Sequence, residues 1–234
     1  MDAYIFTMGK ELDLKAEQQK TLITPKLPAN FILKMMFAAM DMLYGKARTL
    51  PKVLVLEILA RYPYWAWENG AYKMLSLIHC ATQPVSEKNN KKIEVALRHI
   101  EMGREAQDNE QWHMLLWADL CEQKGIRLNW FKHFLLPRHM TFVYFYLTRI
   151  MYWLNPVWSF KMNAAFESHA EHEYMTFAKE HPEFDEEPVE SKWFGIFYPR
   201  QKTLGDLVRR VGLDERDHMN HSLEEVERLT VKKM

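Results

Sequence analysis

The chain is poor in cysteine and glycine, has no excess charge of either sign, and contains no long unbroken apolar run. Each shortage excludes a class of protein. Its 2 cysteines, Cys80 and Cys121, stand apart with neither zinc-ligand nor redox spacing, and both are expected reduced in or near a core. With 8 glycines in 234 residues there is no Gly-rich phosphate loop, and long helices are favoured. Lys and Arg total 31, matching the 31 Asp and Glu, so no basic field suggests a nucleic-acid partner. The longest apolar stretch, residues 140–154, is broken by Arg149 and is too short and polar for a membrane span. The opening MDAYIFTMGKELDLKAEQQK is polar and partly acidic, so neither a secretory signal nor an Arg-rich transit peptide is expected.

What the chain does have is aromatic and methionine-rich helical pattern. Six long helices are expected, over about 30–47, after Pro51, over 92–123, over 130–153, from Pro156, and from Thr203. Pro63 is expected to kink the second, and Pro137 falls near the start of the fourth. Polar loops are expected over 83–91 and 181–202, the acidic run Glu183 to Glu190 being solvated. Residues 1–29 read as an N-terminal arm and 30–234 as a single domain.

Two Glu-x-x-His units carry the chemistry: Glu110-Gln111-Trp112-His113 and Glu215-Arg216-Asp217-His218. Positions i and i+3 of a helix share a face, so each pair can reach one point in a bundle core. The inward stripe of the third helix reads Gly103, Ala106, Glu110, His113, Trp117, Leu120. Two lone glutamates on apolar stretches, Glu57 and Glu167, complete a set in which they can bridge two metals. Carboxylate and imidazole without thiolate suit iron or manganese. The expected fold is therefore all-α: a ferritin-like four-helix bundle with a di-iron centre, plus two additional long amphipathic helices.

Several blocks then resemble the alternative oxidases, and more closely the plastid terminal oxidases. They are VLEILARYPYWAW, DNEQWHMLLWADL, the aromatic segment from Trp130 to Pro156, FESHAEHEY and LVRRVGLDERDH. The resemblance covers roughly residues 40–220. It implies a membrane-bound quinol oxidase that holds two iron ions with Glu57, Glu110, His113, Glu167, Glu215 and His218. It implies further that Asn109 and Asp214 orient the ligands, and that Tyr174 is a redox tyrosine near the irons. Lys52 and Leu56 match quinol-pocket positions, although many members carry Arg where Lys52 stands; Arg48 is a substitute for that contact and Asp41 a helper. His169, His172 and His221 are not assigned to the metal.

The substrates so implied are dioxygen and a quinol, ubiquinol or plastoquinol. Phe31, Ile32, Met35, Met36 and Ala39 share one face of the first helix. Trp130, Phe131, Phe134 and Leu135 stand on the fourth beside Lys132, His133, Arg138 and His139. An apolar face edged by cations fits insertion into one leaflet, with a homodimer interface as the competing use. The expected location is the cytosolic side of an inner or photosynthetic membrane. The rival reading is another di-iron carboxylate enzyme, a hydroxylase or ferroxidase, and a ferroxidase has no use for those apolar faces.

Overall fold

A computed structural model describes residue 7, residues 10–80 and residues 86–231. Among these, seven α-helices account for the fold and no strand occurs: α1 Leu14–Ile23, α2 Phe31–Tyr44, α3 Leu50–Cys80, α4 Glu87–Gln123, α5 Leu136–Leu154, α6 Pro156–Glu180 and α7 Leu204–Val231.

Local signals set the boundaries. The Asn30 side chain accepts from Leu33 N at 2.9 Å and starts α2, which stops at Gly45 with φ 85°. Pro51 sits in the first turn of α3, where no helical N–H bond is lost, and the helix continues through Pro63. Ser86 accepts from Asn89 N at 3.3 Å, so α4 starts at Glu87 and claims most of the expected loop; residues 83–85 of that loop lie outside the described residues. A π-helical turn, Phe131–Leu135, leads into α5, and Asn155 caps α6 with Pro156 in its first turn. The Cys80 side chain lies outside the described residues, whereas Cys121 is buried and its thiol is pushed up to about 11 by burial.

The pattern reading left α1 out for a physical reason. Its docked face is polar, with Gln18 and Thr21 buried, so no apolar stripe marks it. Gln18 donates to Met175 O at 2.7 Å and Thr21 to Glu171 at 2.6 Å, fixing α1 on α6. The acidic run is also more structured than a solvated loop. Asp185 pairs with Arg209 at 2.6 Å and Lys15 at 2.9 Å. Val189, Phe194 and Tyr198 enter the core.

Packing divides the bundle into two tight pairs, α3 with α4 and α6 with α7, with α5 laid across α3 and α6. Glycine permits the close approach in each pair. A Cβ at Gly103 would stand 2.9 Å from the Tyr64 carbonyl, and one at Gly212 would stand 3.0 Å from Tyr174 Cβ. All six residues of the expected inward stripe of α4 are buried. On α2 the apolar face splits: Phe31 and Met35 are exposed, while Ile32 and Met36 pack onto Leu33, Tyr144 and Phe166.

Candidate metal centre

Each of the four main helices delivers a carboxylate to one buried place. Glu57 comes from α3, Glu110 from α4, Glu167 from α6 and Glu215 from α7, and none is more than 1% exposed. His113 and His218, one turn beyond Glu110 and Glu215, are buried with them. The six side chains form two quartets, Glu57-Glu110-His113-Glu215 and Glu110-Glu167-Glu215-His218, each with ligand atoms within 4.8 Å of one another.

The quartets share Glu110 and Glu215, not the lone glutamates expected to bridge. Helix pairing explains the difference. Glu57 on α3 lies beside His113 on its partner α4, with Oε2 3.3 Å from Nδ1. Glu167 on α6 joins His218 on its partner α7 in the other quartet. Each pair thus supplies one end of the site, and the Glu of each Glu-x-x-His unit crosses the seam. Across it, Glu110 Oε1 is 2.8 Å from His218 Nδ1, and Glu215 Oε1 is 3.3 Å from His113 Nδ1.

The two approaches across the seam are not hydrogen bonds. Both oxygens of Glu110, both of Glu215, one of Glu167 and both ring nitrogens of His218 are buried without a hydrogen-bond partner. Buried polar atoms rarely stay unpaired, and two carboxylates about 4 Å apart repel by roughly 4 kcal/mol even at an effective dielectric of about 20. Burial first, then the Glu110 and Glu215 charges, pushes the Glu57 carboxyl far above its usual range. Burial and the same two charges do so for Glu167. Burial also pushes Glu110 up, but His113 and His218 outweigh it and hold Glu110 below the usual value. The imidazoles are raised well above theirs, since the carboxylates of Asp214 and Glu110 overcome burial at His113, and those of Glu110 and Glu215 overcome it at His218. Two divalent cations would cancel four carboxylate charges and give the orphaned carboxylate oxygens, and one nitrogen of His218, a partner. An O/N donor set without sulfur fits iron.

The surroundings hold these ligands in place. Asp214 Oδ2 lies 3.1 Å from His113 Nε2 and accepts from the Tyr198 hydroxyl, while Arg210 reaches Asp214 Oδ1 at 3.1 Å. Tyr64 donates to Glu167 at 2.6 Å and accepts from Asn163 at 3.0 Å. Tyr174, fully buried, donates to Glu57 Oε1 and accepts from Trp117 Nε1 at 3.1 Å. Asn109 is buried nearby, but its Oδ1 has no hydrogen-bond partner. Tyr64 and Tyr198 escaped the sequence reading. Tyr64 sits two turns beyond Glu57 on the same helix, a findable signal, whereas Tyr198 arrives on a loop with no pattern to mark it.

Between Glu215 and His218, the other two residues of the turn contact the N-terminal segment and α1. Asp217 accepts from Thr7 N at 2.7 Å. Arg216 contacts Glu17 at 2.5 Å, Thr21 at 2.7 Å and Glu171 at 2.8 Å. The arm and α1 are therefore fastened to the ligand-bearing turn itself.

A cavity of about 320 Å³ brings together Asp41, Arg48, Lys52 and Leu56, the residues expected near a quinol, with His169 and Glu173. Leu56 adjoins Glu57 in the chain and Glu173 adjoins Tyr174, so the cavity wall and the buried site share backbone. Lys52 Nζ is 2.7 Å from both Asp41 and the Gly45 carbonyl, and Arg48 pairs with Glu173 and Glu180. His169 stacks on Phe37 at 3.8 Å, and His172 is held by the Ser168 and Thr24 carbonyls; neither joins the metal quartets.

Four helices that present paired Glu-x-x-His units and two further glutamates around one buried point define a di-metal carboxylate bundle. The family model described as alternative oxidase matches residues 11–225. The chain belongs to that family, the di-iron quinol oxidases, and is an oxidoreductase by membership. Comparison with curated proteins and with solved structures gave no match.

Proposed function

We propose that the protein is a quinol:oxygen oxidoreductase that reduces dioxygen to water without pumping protons, attached to one leaflet of a membrane. The observation that carries the reading is the pair of buried quartets sharing Glu110 and Glu215, with a cavity against the Glu57 and Tyr174 backbone. In this reading Glu57, Glu110, Glu167 and Glu215, with His113 and His218, hold two iron ions. Bound iron would supply the redox capacity that passes electrons from quinol to dioxygen. Two quinols release four electrons and four protons, which balance one dioxygen reduced to two waters.

The chain's own residues then have defined tasks. Leu56 packs against the quinol ring, and Lys52 gives up an existing acceptor, Asp41 or the Gly45 carbonyl, to reach a head-group oxygen. Arg48 shapes the mouth through Glu173 and Glu180. Tyr174 holds a proton against Glu57 Oε1 and offers both an electron and a proton between cavity and ligands. Trp117 fixes that hydroxyl from the other side. The surrounding apolar side chains keep water out.

Attachment is supported by exposed Phe31, Met35, Trp130, Phe131, Phe134, Phe142 and Trp153 on α2, on the π-turn and on α5. No described helix is long and apolar enough to cross a membrane. We read the contact as monotopic, on the cytosolic side of an inner or photosynthetic membrane, with a second copy of the chain covering part of the remaining apolar surface. The FESHAEHEY block favours the plastid type, and ubiquinol or plastoquinol is the donor. Residues 1–29 serve as the arm and 30–234 as the oxidase domain.

The test is oxygen uptake by iron-loaded protein in liposomes with ubiquinol and with plastoquinol. Two quinols consumed per dioxygen, with no proton gradient formed, is the expected result. Oxidation of free Fe(II) without quinol turnover would instead establish a ferroxidase.

A further inference from the structure

A second cavity, of about 790 Å³, lies between the C-terminal halves of α3 and α5. Its walls include Leu77, Tyr146, Ile150 and Trp153, which are 65%, 50%, 53% and 76% exposed. Two cations, Lys73 and Arg149, stand among them, and the lining contains no carboxylate. Four other cavities among the described residues each contain at least one Asp or Glu. Arg149 donates from Nε to the neutral Asn69 side chain at 3.3 Å, and neither cation forms an ion pair with a described carboxylate. Glu225 nearby does not supply one, since Arg98, His99 and Arg228 already hold it at 2.6–3.0 Å.

A cavity with two unmatched positive charges and wide apolar walls selects a ligand that is anionic at one end and apolar at the other. A free phosphate gains nothing from the walls, and a neutral quinol draws only hydrogen bonds from the cations and leaves both charges unmatched. We propose that this cavity binds an anionic phospholipid, with the phosphate between Lys73 and Arg149 and the acyl chains along Leu77, Ile150 and Trp153. The proposal rests on the attachment of α5 to a leaflet, since the cavity continues the exposed face carrying Phe142 and Tyr146. Arg guanidinium and Lys ammonium both pair with phosphate, and Trp and Tyr are suited to the head-group level.

The experiment titrates iron-loaded full-length protein in detergent with phosphatidylglycerol and with phosphatidylcholine of matched chains, counting bound lipid by native mass spectrometry. The Lys73→Gln/Arg149→Gln double variant is compared with the unaltered protein, and Arg149→Lys is the conservative control. The unaltered protein should prefer phosphatidylglycerol, and the double variant should lose roughly thirtyfold in affinity for it, about 2 kcal/mol at about 1.4 kcal/mol per decade. Arg149→Lys should keep most of the binding. Equal affinity for the two lipids, or undiminished phosphatidylglycerol binding in the double variant, overturns the proposal. A change of oligomeric state without loss of lipid also overturns it and gives the face to a second copy. Vesicle co-sedimentation of the unaltered protein tests attachment separately. Failure there sinks the leaflet reading, while the micelle titration still decides the lipid site.

Discussion

Replacing Tyr174 by Phe removes one oxygen atom and leaves the packing intact, so its consequences are separable. The hydroxyl is buried, donates to Glu57 Oε1 and accepts from Trp117 Nε1. Without it the indole N–H has no partner, at a cost of about 1–3 kcal/mol, and Glu57 loses its donor. For a chain of this length that is a fall in melting temperature of roughly 2–4 °C for each kcal/mol. Iron content should be unchanged, because Glu57 keeps both oxygens. Quinol-dependent oxygen uptake should fall by about two orders of magnitude or more, the scale of removing a group that moves protons in the reaction. Trp117→Phe is the control: it breaks the same network from the other end and keeps the phenol. It should cost similar stability and retain most of the uptake. If Tyr174→Phe turns over at the normal rate, or if both variants lose uptake equally, the tyrosine is a structural post and the redox role is wrong.

Other expectations concern the ligands and their supports. Glu110→Ala removes a carboxylate common to both quartets and should lose both irons together by metal analysis, with activity abolished; retention of a single iron would contradict the shared geometry. Asp214→Asn replaces the acceptor of His113 Nε2 and should weaken iron affinity by about 10–100-fold while circular dichroism stays helical. Protein stripped of metal by chelation should lose stability as pH rises. Glu57 and Glu167 keep protons in the folded chain that the unfolded chain releases above about 4.5, so the stability present below that value drains away as pH climbs. His113 and His218 act in the same direction: their contribution is complete below 6.5 and vanishes as pH passes their raised folded values. Glu110 and Asp214, both depressed, oppose this only when pH falls below their ordinary 4.5 and 3.8. Denaturant midpoints of the chelated protein that rise from about pH 5 to 8 would refute the assignment of charge.

The ligand helices were legible because their information is local. Spacing on one helix puts Glu and His on one face, and apolar neighbours mark the lone glutamates as inward. Which carboxylates the two quartets share was not legible, since that depends on which helices pair, a property of packing between distant segments. Helix α1 hid because it docks through Gln18 and Thr21 instead of an apolar stripe. Tyr198 hid because it stands on an irregular connection, while its partner Asp214 lies well inside α7. The start of α4 was misplaced because Pro84 and two asparagines look like a loop, when Ser86 in fact caps a helix whose first turn tolerates the asparagines. The cavity residues Lys52, Leu56 and Arg48 were named by likeness to a family, and His169 and Glu173 joined them only in three dimensions.

The clasp between Thr7 and Asp217 has a practical corollary for anyone handling this polypeptide. A purification tag fused just ahead of Thr7, or a trimming that deletes it, acts on Asp217, the residue next to His218 in the chain. Preparations that differ only at their leading end should therefore be compared for iron content before their turnover numbers are.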